Sequence, residues 1–290
     1  MEVRIKNRNN EFIEVKKGKN KTLKFLYGTF IGRTMLKALT RPVVSKAAGA
    51  VMNSRMSAGF VKGFVQKNGI DLSEYEKSRF KSYNEFFTRK IKSIKRPVDK
   101  NNEAFISPCD SKLLVFDINE DSEFCIKESY YSTGDLIGDT EKAKEFNGGK
   151  CLIFRLSVDD YHRYCYIDDG TKGKSKFIKG ELHTVNPIAL KKYNIYKRNC
   201  RYCTFLETEN FGEVAQIEVG AMMVGRIVNY YGKEDFKRGE EKGYFEFGGS
   251  TVVLLVKKGY IYLDDDILKN SNDLIETKVK LGERIGGKLQ

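Results

Sequence analysis

Acidic side chains are missing from positions 15–70, a stretch that holds twelve lysines and arginines and carries nearly all of the chain's net charge of +13. Positive charge gathered in one segment calls for an anionic partner, and a lipid surface or a nucleic acid are the two macroscopic choices. Proline, with four copies, and tryptophan, with none, are also scarce. With no low-complexity tract and no internal repeat, this composition excludes Pro-rich linkers, collagen-like segments and solenoids. The six cysteines are scattered, and Cys200 and Cys203 form the only closely spaced pair. A four-ligand zinc site is therefore not expected, no metal is assigned, and the thiols read as reduced. No run of 18 apolar residues offers a membrane-spanning helix, and no signal-peptide pattern opens the chain, so the expectation is a protein on the cytoplasmic side. A hydrophobic content of 40% is enough for a substantial core.

Two textures divide what is present. From position 22 the apolar residues Leu23, Leu26, Tyr27, Phe30, Ile31, Met35, Leu36 and Leu39 recur at helical spacing, with Lys24, Arg33, Lys37 and Arg41 between them, until Pro42. Residues 43–66 and 71–97 also read as helical. A basic amphipathic stretch whose cations alternate with bulky aliphatic and aromatic groups suits lipid better than nucleic acid. Beyond Pro97, short apolar or alternating runs at 112–116, 151–156, 163–167, 212–219, 222–228, 251–256 and 260–263 are bounded by Gly, Asn and Asp, and read as strands. The expected fold is α+β: a helical, membrane-docking region over residues 1–100, then a β-rich catalytic core over 101–290.

Chemistry-bearing residues fall in four stretches. "FEFGGSTVVLL" (245–255) looks like a strand interrupted by Gly248, Gly249 and Ser250. "SPCDSKL" places Asp110 in a turn, "LSVDDYHRYCYIDDG" places His162 beside a strand, and "GELHTVNP" holds His183, the other of the chain's two histidines. Serine, histidine and aspartate can form a relay in which imidazole takes the hydroxyl proton. Singly, each has an ordinary reading as a turn residue, a bulge, an Asx turn or a solvated histidine. The residues alone support a Ser/His/Asp candidate site and leave its histidine open.

Taken in order, "NEFFTRKIKSIKRPVD", "SPCDSKL", "YSTGDLIGD", "FRLSVDDYHRY", "GELHTVNP", "VGAMMVGRI" and "RGEEKGYFEFGGSTVVLL" resemble the phosphatidylserine decarboxylase family from about residue 80 to 290. The resemblance implies a proenzyme that cuts itself between Gly249 and Ser250, with Ser250 as nucleophile and as the source of a covalent pyruvoyl cofactor. That ketone would hold the amine of phosphatidylserine as a Schiff base and accept electrons as CO₂ leaves, yielding phosphatidylethanolamine. It further implies two chains, about 1–249 and 250–290, joined as a heterodimer that is a candidate for homo-oligomerisation. The expected location is peripheral, on an anionic membrane surface at the cytoplasmic face, with no nucleic acid bound. The family pattern carries a second histidine three positions after the first, where this chain has Cys165. The relay is therefore assigned to Asp110, His162 and Ser250, with Cys165 and His183 as accessory candidates. Two alternatives stand beside this reading. One is an unprocessed lipid-surface binding homologue, and the other is a pyruvoyl-dependent decarboxylase of a soluble amino acid, which leaves the basic helices unexplained.

Overall fold

The structure, a computed structural model, describes residues 4–13, 49–120, 124–126, 129–179, 200–220, 226–232, 234–247 and 250–289. The basic helix expected from position 22 to Pro42, His183, Gly248 and Gly249 lie outside them. The fold is α+β with a β-rich core. Nine strands position the site: β1 (Ile5–Lys6), β2 (Ser111–Asp117), β3 (Lys150–Leu156), β4 (Arg163–Cys165), β5 (Arg201–Thr208), β6 (Gly212–Val219), β7 (Glu241–Phe245), β8 (Ser250–Val256) and β9 (Glu276–Val279).

A ten-stranded sheet runs β1-β9-β2-β3-β8-β6-β5 and continues through Gly170–Lys172 to Asp235–Phe236, with Lys176–Ile178 also paired to β5. All its pairings are antiparallel except β1 with β9. Residues paired across such a ladder share a face. Leu113 and Val115, Leu152, Phe154 and Leu156, Val252, Leu254 and Val256, and Val214 thus line one side. There they form the main core with Tyr164, Ile167, Ile227 and Phe245. β7, β4 and Ile227–Asn229 make a separate three-stranded sheet. Gly243 is required at its bulge, because a Cβ there would overlap the Val228 carbonyl.

The run 245–255 is therefore not one flawed strand. It is the end of β7 and the start of β8, in two different sheets, joined through the two glycines. Residues 71–97 also depart from the expected helix. They hold one short helix, α2 (Tyr83–Phe87), and single 3₁₀ turns at Leu72–Glu74 and Ser93–Lys95. Local side chains divert the backbone here: Asp71 accepts from Ser73 N–H, Ser82 from Glu85 N–H and Glu85 from Lys81 N–H. Within 43–66, α1 (Gly59–Asn68) forms as expected. It buries Val61 and half-buries Phe64 and Val65 against α2, and closes on Gly69 at a left-handed φ of 65°. Strand β5 was not anticipated, because its Arg, Cys, Thr and Glu residues mask the alternation.

Candidate active site

Ser250 opens β8 opposite Leu156, so its side chain turns onto the core face. It is completely buried, and its Oγ has no hydrogen-bond partner among the described residues. A buried hydroxyl left without a partner costs about 1–3 kcal/mol.

His162 immediately precedes β4 and is also completely buried. Its Nδ1 lies 2.9 Å from the Asp160 carbonyl oxygen, and its own carbonyl accepts from Phe245 N–H at 2.9 Å. The imidazole lies on the ring of Phe87, centroid to centroid 3.9 Å. Phe247, three residues before Ser250, packs on the same Phe87 at 5.4 Å and on Tyr83 at 5.1 Å, and its N–H donates to Asn84 Oδ1. Helix α2 thus touches both the histidine and the segment leading to the serine. Its Phe86 and Phe87 are fully buried, worth roughly 1.5–3 kcal/mol each, so the platform is firm.

Asp110 is held elsewhere. Its carboxylate accepts a fork from Arg96, at 2.8 and 3.0 Å from Nε and 2.6 Å from Nη2, and a further bond from Leu281 N–H at 2.9 Å. Burial opposes the Arg96 charge, but its hydrogen bonds and attraction to Asp110 outweigh that and raise its pKa. Asp110 and His162 are not hydrogen-bonded to each other. The Asp160 carboxylate pairs with Lys112 Nζ at 2.5 Å and accepts from Ser157 N–H at 2.6 Å, while its main-chain carbonyl faces His162. Burial pushes the Asp160 carboxyl up, with Lys112 working against that. A cleft of about 330 Å³ reaches Asp110, Asp160 and Tyr161 from the surface, rimmed by Asp71, Arg96 and Lys280.

Cys165 is enclosed at the end of β4, where its N–H donates to the Pro108 carbonyl. Burial pushes its thiol up to about 12, so at neutral pH it is a neutral thiol and a poor stand-in for imidazole. Among the described residues, no group of three or more His, Cys, Asp or Glu could hold a metal ion.

Sequence reasoning overlooked Asp160, Lys112 and Phe87, all of which stand inside motifs quoted above. A lone lysine in the otherwise apolar run after "SPCD" was the available signal. It also overlooked a buried network one step deeper on the serine's face: Lys242 Nζ to Glu218 at 2.7 Å, Asn229 to Glu218 at 3.0 Å, and Tyr164 OH to Asn229 at 2.9 Å. This network ties β6, β7, β4 and Ile227–Asn229 together.

Residues 83–287 match the phosphatidylserine decarboxylase family. The phosphatidylserine decarboxylase proenzyme 2 of Clostridium acetobutylicum is 49% identical over 288 residues, which span 99% of each chain. The phosphatidylserine decarboxylase proenzyme of Ruminiclostridium cellulolyticum is 42% identical over 91% of this chain and 90% of its own. That of Clostridium perfringens is 39% identical over 99% of this chain and all of its own. A buried serine between two sheets, a histidine on the same Phe87 that packs the segment leading to that serine, and similarity over nearly the whole chain agree: the chain belongs to the phosphatidylserine decarboxylase family.

Proposed function

We propose that the chain is a self-processing phosphatidylserine decarboxylase that cuts itself at Gly249–Ser250 and releases CO₂ from phosphatidylserine to give phosphatidylethanolamine. The observation that carries the reading is the buried Ser250 Oγ, without a hydrogen-bond partner among the described residues, at the first residue of a central strand. His162 takes the Oγ proton as Oγ bonds to the Gly249 carbonyl carbon, and the C–N bond breaks to give an ester. Loss of the Ser250 Cα proton then breaks Cβ–Oγ and frees the Gly249 carboxylate. Hydrolysis of the remaining dehydroalanine releases ammonia and caps the small chain. Glycines at 248 and 249 add no Cβ to hinder the attack.

The resulting pyruvoyl group fits the site, because an enclosed Oγ without a partner has nothing to lose when it departs. When present, it supplies an electrophilic ketone that draws electrons from the substrate as CO₂ leaves. The protein's own part is to bury that position and to hold His162 on the same Phe87 that packs the segment leading to it. Asp110, gripping Arg96 and Leu281, fastens the C-terminal segment to the rim of the cleft and is proposed to act in the relay from there, with Cys165 and His183 as accessories. The two product chains remain a heterodimer, because residues 250–289 supply β8 and β9 inside the large sheet, and Arg284–Lys288 beside Ala104–Ile106.

Residues 22–66 dock the protein on anionic lipid at the cytoplasmic face, at about 1 kcal/mol per cation near the surface. In the described part of that stretch, Val51, Met56 and Phe60 are exposed beside Arg55 and Lys62, while the opposite side of α1 packs on α2. No described helix is long and apolar enough to cross a membrane.

Intact mass of the purified chain tests the proposal. Two chains are expected, the smaller blocked at its N-terminus and reactive to carbonyl reagents, with Ser250→Ala leaving one 33.3 kDa chain. A single uncut, inactive wild-type chain defeats it. For docking, Met56→Ser with Phe60→Ser should reduce flotation with anionic liposomes, and unchanged flotation removes that part.

A further inference from the structure

The histidine that serves Ser250 needs one nitrogen free to accept a proton, and which nitrogen that is depends on what the other one faces. His162 Nδ1 faces a main-chain carbonyl, that of Asp160, at 2.9 Å. A carbonyl oxygen only accepts, so Nδ1 carries the hydrogen and Nε2 keeps the lone pair. In a relay of the usual kind a carboxylate performs this task, yet the Asp110 carboxylate is committed to Arg96 and Leu281.

What fixes the Asp160 carbonyl is built from three sides. The turn closes on itself through Asp160 N–H to Ser157 O at 2.9 Å and Ser157 N–H to Asp160 Oδ2 at 2.6 Å. Lys112 on β2 holds the carboxylate with both oxygens within 2.7 Å, and the two side chains are 9% and 8% exposed. Arg89, just after α2, reaches the Asp159 and Asp160 carbonyls with Nη2 at 3.4 Å. It is itself clamped between the rings of Tyr75 and Phe86, each 4.5 Å away. Two buried cations thus converge on one turn whose single outward product is the acceptor for His162. A buried ion pair is a poor source of net stability but a good source of fixed geometry.

We propose that Asp160, anchored by Lys112 and Arg89, is the positioning residue that locks His162 in its Nδ1–H tautomer for self-cleavage. In this arrangement the Ser250 Oγ proton passes to Nε2, and the Asp160 carbonyl stabilises the Nδ1–H dipole as charge develops on the ring. The inference rests on His162 being the base proposed above, but its primary readout does not require any cleavage.

Because the chain has two histidines, imidazole ¹⁵N spectra are simple. In full-length Ser250→Ala protein labelled at histidine, with His183→Asn used for assignment, His162 should show a protonated Nδ1 and an unprotonated Nε2. Adding Lys112→Met should mix the tautomers, and Lys112→Arg should restore the single form. In chains that retain Ser250, Lys112→Met should slow self-cleavage by about tenfold to a hundredfold, with Lys112→Arg recovering most of the loss. An Nε2–H tautomer in the Ser250→Ala protein overturns the proposal. So does a tautomer unchanged by Lys112→Met in a protein with a dispersed, folded spectrum. Should Lys112→Met not fold, Arg89→Lys, which keeps the charge and loses the fork, is read by the same two outcomes. An uncut wild-type chain with His162 in the Nδ1–H form would refute the functional reading and leave the lock standing.

Discussion

Strand β7 ends at Phe245 in a three-stranded sheet, with three paired positions on each side. Strand β8 begins at Ser250 in the middle of ten strands, with seven positions paired to β3 and six to β6. Upstream of the proposed cut, among the described residues, Phe247 packs on Phe87 and Tyr83 and donates to Asn84, and Glu246 N–H donates to the Arg226 carbonyl. Downstream, every residue from 250 to 256 is buried. This asymmetry would let the proposed cut at Gly249–Ser250 open the backbone without loss of the site. A chain starting at Ser250 would be held by this two-sided ladder, whereas the segment before it makes fewer described contacts.

Breaking the firm side should cost the most. Leu254→Ala removes a fully buried side chain from the centre of β8 and should destabilise the fold by about 2–5 kcal/mol, seen as a lower denaturation midpoint. A loss under about 0.5 kcal/mol would mean that β8 is not the anchor described. On the light side, Phe247→Ala should slow self-cleavage by about tenfold with a smaller loss of stability, since it frees the segment that presents the scissile bond. Processing at the wild-type rate would show that the Phe87 platform plays no part. Asn84→Ala, which removes the acceptor of Phe247 N–H, should give a weaker version of the same effect, about 0.5–1.5 kcal/mol in barrier or stability.

Two smaller effects sharpen the picture around the histidine. Cys165→Ala should change the cleavage rate by less than about threefold, because a buried neutral thiol does not act as a base at neutral pH. A large loss would give the thiol a role that its burial argues against. Tyr83, beneath Phe247, has its phenol raised to about 12, chiefly by burial, with Arg89 lowering it slightly. A raised acid binds its proton more tightly in the folded state, so its contribution is intact below about pH 10 and is lost as pH rises from 10 toward 12. Tyr83→Phe should therefore flatten the fall of melting temperature over that interval, and an unchanged slope would place the alkaline sensitivity elsewhere.

Much of this was legible in the residues. The strands at 112–116, 151–156, 212–219 and 251–256 fall within one or two residues of β2, β3, β6 and β8, because short apolar runs bounded by polar residues and glycine report buried strands directly. The family was readable from motif order. Residues 71–97 were not, because their Phe and Ile spacing mimics a helical face while Asp71, Ser82 and Glu85 turn the backbone locally. Strand β5 was hidden by its polar positions, of which Arg201 and Thr204 are buried through tertiary contacts.

The sequence by itself determined the α+β character and the family, since these depend on composition, local periodicity and contiguous motifs. Only the tertiary structure decided that β7 and β8 belong to different sheets and that Phe87 touches both His162 and the segment leading to Ser250. It also decided that the group facing His162 Nδ1 is the carbonyl of Asp160 instead of the carboxylate of Asp110. The reason is physical: a carboxylate goes to the strongest donor within reach. Whether that donor is Arg96, Lys112 or an imidazole is set by how strands far apart in the chain are brought together.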